Sequence, residues 1–273
     1  MRVIGVDLAW KEGPDAAETG VVAIDPDGTI QAADWTRGVT ETIEWILNHT
    51  KPEATLVFVD APLLVLNDNG QRSCETEVGR HYGPWKVSAN STNLSSPRLA
   101  GVTVRRALEL HGYAYDDGLD GPPASGLVVS ECYPYTTIVG LAALDYDERP
   151  TYKRKPKAVT SANFPAVRAA ACQELLRRLA TLSDADPPLR LDSHAATAAL
   201  LAVPCPLNNR EYKHQEDLLD AVLCAYAAQL WLRHGLLQSQ ALGAAHDGAR
   251  PKATIIAPCR TTQRRDPLPV RSG

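Results

Sequence analysis

The chain has 273 residues, 44% of them hydrophobic and 22% charged, and 28 Lys and Arg against 32 Asp and Glu give a formal net charge of -4. Such ordinary globular usage excludes wholesale disorder, and the mild acidity counts against a grip on long duplex nucleic acid, which leaves a basic footprint. No apolar stretch approaches the roughly 18 residues that span a bilayer, and the start Met1-Arg2-Val3-Ile4 lacks the longer apolar run of a secretory leader, so a cytoplasmic protein with no membrane partner is expected.

In chain order, Val3 to Leu8, Gly20 to Ile24 and Thr29 to Trp35 read as strands, the last two joined by the turn Asp25-Pro26-Asp27-Gly28. Short connections predict an antiparallel meander. Thr40 is a candidate cap for a helix from Glu41 to His49, and the unbroken apolar run Leu56 to Val59 suits a strand covered on both faces. Periodicity fades from Leu63 to Leu99, which predicts a long loop insertion. A helix from Pro97 to His111, a strand from Gly126 to Tyr133 halted by Pro134, and a basic segment from Arg149 to Lys157 follow. Helices are expected over Phe164 to Leu182, from a cap at Asp192 or Ser193 to before Pro204, and over His214 to Gly235. A short strand at Ala253 to Ile256 comes last. The expected organisation is one domain over residues 1–258 and a flexible Arg/Pro-rich tail over 259–273. Its element order implies an α/β fold, a mixed sheet with helices on its faces.

Three apolar runs carry a carboxylate at or near their C-terminal ends: Asp7, Asp60 and Glu131. On the last long helix Asp217 and Asp220 share one face with Ala221, Cys224, Ala228 and Trp231 at 3.6 residues per turn. Each acid alone has a plain structural explanation, as a turn-former, a cap or a solvated helix residue. Together they suggest a different role, because converging carboxylates repel unless a cation lies between them. Mg²⁺ or Mn²⁺ bound by such oxygens is the equipment of metal-assisted phosphoryl transfer.

The segments Gly5-Val6-Asp7, Val59-Asp60-Ala61-Pro62, Glu131-Cys132-Tyr133-Pro134 and Asp217-Leu218-Leu219-Asp220-Ala221 resemble the ribonuclease-H-like superfamily, in particular the predicted nucleases of the domain of unknown function 429 family. The resemblance implies a central five-stranded mixed sheet flanked by helices. By it Asp7 bridges two metal ions, Asp60 binds one, and Asp217 and Asp220 complete the coordination of a two-metal hydrolase acting on a nucleic acid or nucleotide. Glu131 is either a further catalytic ligand, a water-positioning group, or a residue that merely shapes the strand end.

Lys213 and His214 adjoin the helical acids and are candidates for holding a phosphate or for proton transfer, His214 being equally readable as an exposed first-turn residue; Arg72 in the long loop and Lys153 in the most basic window are candidate phosphate contacts, although such charges are more often simply solvated. No Gly-x-x-x-x-Gly-Lys phosphate loop and no Gly-x-Ser-x-Gly elbow is present. Two other classes stay open. One is a non-catalytic module of the same fold that binds a metal or nucleotide; the other is an actin-like kinase using ATP, against which the glycine-free Leu8-Ala9-Trp10 after Asp7 counts.

Overall fold

The computed structural model describes residues 1–10, 17–243 and 249–265. Strands β1 (Arg2–Asp7), β2 (Glu18–Ile24) and β3 (Ile30–Arg37) form the expected antiparallel meander. Helix α1 (Gly38–His49) then returns the chain so that β4 (Ala54–Val59) lies parallel to β1. After α2 (Ser73–Tyr82) and α3 (Ala100–Leu110), the short β5 (Ala114–Tyr115) and β6 (Gly126–Glu131) extend the sheet in the same direction. Its order is β3-β2-β1-β4-β6-β5. The sheet therefore has six strands where five were expected, the addition being a two-residue edge strand too short to leave a periodic signal.

Helices α4 (Pro134–Gly140), α5 (Phe164–Ala180), α6 (Ala195–Ala202) and α7 (Asn209–His234) follow, and β7 (Ser239–Leu242) pairs with β8 (Ile255–Pro258) as a separate antiparallel ribbon. Alternation along the central strands divides the core. Ile4, Val6, Val57, Val59 and Val129 face one layer together with Val104 and Leu108 of α3, whereas Val3, Leu56, Phe58 and Val128 face the layer that contains α7. Among the described residues no helix is long and apolar enough to cross a membrane.

Three expectations need correction. Residues 63–99 are not a loop throughout, since α2 lies within them, held by side chains described below. Helix α7 is not amphipathic. It begins at Asn209, where the Asn208 side chain accepts hydrogen bonds from the Arg210 and Glu211 amides, and every residue from Gln215 to Trp231 is buried because the helix is covered on its outer side too. Finally, Gln263 is fully buried and its side chain donates to the Val139 carbonyl at 3.1 Å, so the start of the expected tail is packed; residues 266–273 lie outside the described residues.

Two glycines set how closely α7 lies on the sheet. A Cβ on Gly5 of β1 would come within 2.1 Å of the Ala221 carbonyl oxygen, and one on Gly20 of β2 within 2.0 Å of the Asp217 carbonyl oxygen. No side chain fits in either place. With Ala221 and Ala225 on the facing side, backbone meets backbone, and the acids of α7 are drawn down to the C-terminal end of β1.

Candidate metal centre

Parallel pairing of β1 and β4 aligns Val6 with Val59, and the Asp60 amide donates to the Val6 carbonyl at 2.9 Å. Asp7 and Asp60 therefore occupy the next rung, at the carboxyl end of neighbouring parallel strands, where open α/β sheets bind ligands. Both project on the α7 side of the sheet. Oxygens of Asp7, Asp60 and Asp220 all lie within 4.8 Å of one another. Asp7 is 8% exposed, Asp220 fully buried and Asp60 half-buried.

Asp217 and Glu216 flank this triad from the same helix. Lys213, one turn earlier on α7, contacts Asp217 and lies 3.0 Å from Glu216; Lys153, from the basic segment, contacts Asp220 and lies 3.7 Å from Glu216. Tyr152 anchors that segment. It is fully buried, donates from its hydroxyl to Asp220 Oδ1 at 2.8 Å, and accepts at its carbonyl from the Tyr212 hydroxyl at 2.6 Å. Five carboxylates thus meet two ammoniums. Burial first, and the Asp7 charge second, push the pKa of Asp60 up to about 8; the same two causes raise Asp217 to about 8 despite Lys213 beside it. Lys213 is shifted upward: burial opposes its charge, but Asp7, Glu216 and Asp217 outweigh it.

The donor set fits a hard divalent cation. All its members are oxygens, the negative charge exceeds that of the lysines, and the buried Asp217 carboxyl meets Asp7 as well as Lys213. Buried carboxylates in contact repel, and a cation among these acids would offset that.

Glu131 stands elsewhere. The register of β4 and β6 aligns it with Val59, one rung short of Asp60, so it projects to the opposite side of the sheet. There Arg72 donates to both its oxygens at 2.7 and 2.6 Å, and the Leu63 amide donates at 3.0 Å. Arg72 also donates from Nε to Glu75 at 2.9 Å, and Glu75 accepts from the Thr92 amide. Burial raises the Glu131 pKa and Arg72 counters it. The expectation of Glu131 as a catalytic ligand and of Arg72 as a phosphate contact is therefore corrected: these residues saturate one another and pin the 63–99 segment to the sheet. His214 is also engaged away from the acids, with its ring stacked 3.8 Å from Trp35 and its Nδ1 2.6 Å from Glu18.

Asp7, Asp60, Asp217 and Asp220 come together with Lys153 and Lys213. Glu216 and Tyr152 join them unannounced, Glu216 because an i+3 partner for Lys213 reads as a solvated pair, Tyr152 because its anchoring depends on a distant helix.

A family model described as "Protein of unknown function (DUF429)" matches residues 5–241. No curated protein and no solved structure matches the chain. With most of its length covered, the chain belongs to the DUF429 family.

Proposed function

We propose that this DUF429 protein is a hydrolase of phosphodiester bonds that depends on Mg²⁺ or Mn²⁺, a nuclease or phosphodiesterase of ribonuclease-H-like fold acting on a nucleic acid or nucleotide. The meeting of Asp7, Asp60 and Asp220 within 4.8 Å supports it above all. The strand order β3-β2-β1-β4-β6, with an acid-bearing helix laid across β1, is in keeping with that fold. A bound divalent cation would supply an activated water and neutralise charge on the reacting phosphoryl group. Asp7, Asp60 and Asp220 would hold it. Lys153, one-fifth exposed at the rim, would hold a phosphate oxygen, and Tyr152 fixes the Asp220 carboxylate.

A second reading, a metal-binding module without catalysis, is favoured by the internal neutralisation of Asp217 and Asp220 by Lys213 and Lys153. Hydrolysis of mixed single-stranded nucleic acids and cyclic nucleotides in Mn²⁺ separates the two. Catalysis predicts turnover by the wild type that drops at least about 100-fold in Asp7→Asn, a loss typical of a group acting in the transition state; equal rates in the two proteins would rule catalysis out.

A further inference from the structure

We infer that the Lys213 ammonium stands where a second metal ion would otherwise bind, so that this protein takes up one divalent cation rather than two. The inference rests on the cation-site reading of Asp7, Asp60 and Asp220. Two acids on α7 lie outside that triad, Glu216 and Asp217, and Lys213 reaches both. Spacings of three and four residues put all three side chains on one helical face, and the depth of that face is fixed by the Gly20 contact with the Asp217 backbone. Asp217 is 2% exposed and Glu216 8%. An ammonium held between two buried carboxylates beside a third, Asp7, has the surroundings of a bound cation. It lacks the second unit of charge that a divalent ion provides.

Lys213 is tethered four residues from Asp217, so a second ion must compete with a cation present at very high effective concentration. It also meets direct repulsion from that charge. The triad is differently placed. Its ammonium partner, Lys153, comes from a separate segment and reaches Asp220 and Glu216, and among the described residues neither Asp7 nor Asp60 is held in an ion pair.

Bound Mn²⁺ counted by electron paramagnetic resonance during titration of the full chain tests this, without recourse to activity. Wild type and Lys213→Arg are expected to bind one ion and Lys213→Gln two, with Asp7→Asn as the control that binds none. Circular dichroism checks folding, and Lys213→Met replaces the Gln variant if that one unfolds. Two ions in the wild type, or one in the folded neutral variants, would overturn the role of Lys213 while leaving the triad's cation intact. A wild type indistinguishable from Asp7→Asn, with no ion bound, would overturn both.

Discussion

Burial and the Asp7 charge lift the pKa of Asp60 and Asp217 to about 8 from an ordinary 3.8. Since the folded values lie above the unfolded one, the stability they confer is fully present below about pH 4 and is lost as pH rises through about 8. Thermal melts without metal are expected to fall across that window, and added Mn²⁺ to raise the melting temperature by an amount that grows with pH, since an ion replaces the protons. A Mn²⁺ shift that is flat from pH 5 to pH 8 would contradict this. Asp60→Asn removes the repulsion without changing shape. At pH 8 and without metal it is expected to melt roughly 2–4 °C higher, the equivalent of about 1 kcal/mol, while losing most of the Mn²⁺ shift. Lys153→Gln removes a positive charge from the rim and should tighten Mn²⁺ binding at least about fivefold, or about 1 kcal/mol, the repulsion of two unit charges about 4 Å apart at the dielectric of water; calorimetric titration reads it directly.

Among the elements, α7 decides whether a site exists. Gly5→Ala or Gly20→Ala would drive a methyl group into the helix backbone, and a cost of at least about 3 kcal/mol in urea unfolding is expected, at the upper end of overpacking. The variants that still fold should bind Mn²⁺ weakly, because the helix that carries Asp217 and Asp220 has been pushed off β1. The Arg72–Glu131 pair works differently. Arg72→Met strands a buried carboxylate, a loss of about 3–5 kcal/mol, with faster proteolysis of the 63–99 segment. Its folded fraction should keep wild-type Mn²⁺ affinity, which distinguishes a fastener from a ligand.

Much of the architecture was legible in the sequence because the meander, the doubly buried β4 and the acids after it follow from local patterns. Asp7 and Asp60 were readable as partners since each follows an apolar strand by the same rule. Glu131 obeys that rule equally well, and it misses the site by a single rung. Register between β4 and β6 is a property of the pairing and not of either strand alone, and one rung turns a side chain to the other face. α2 escaped notice because its fastening comes from Glu131, 59 residues from Arg72. The burial of α7 on all sides hid for a similar reason: its outer cover is supplied by elements distant in sequence, while its own composition mixes acids with small and apolar residues.

At the scale of the whole molecule, a rigid sheet presents two fixed carboxylates, one helix lowers two more onto them, and a separate basic segment closes the rim. Stability and site geometry are therefore set by the same contacts, and a cation that binds the folded state alone should raise both the melting temperature and the protection of α7 from hydrogen exchange. Anomalous diffraction from crystals grown with Mn²⁺ tests this account most directly. It predicts a manganese peak bonded to oxygens of Asp7, Asp60 and Asp220 at about 2.1 Å, the length typical of small hard divalent ions. A peak confined to other surface carboxylates at saturating metal would contradict it.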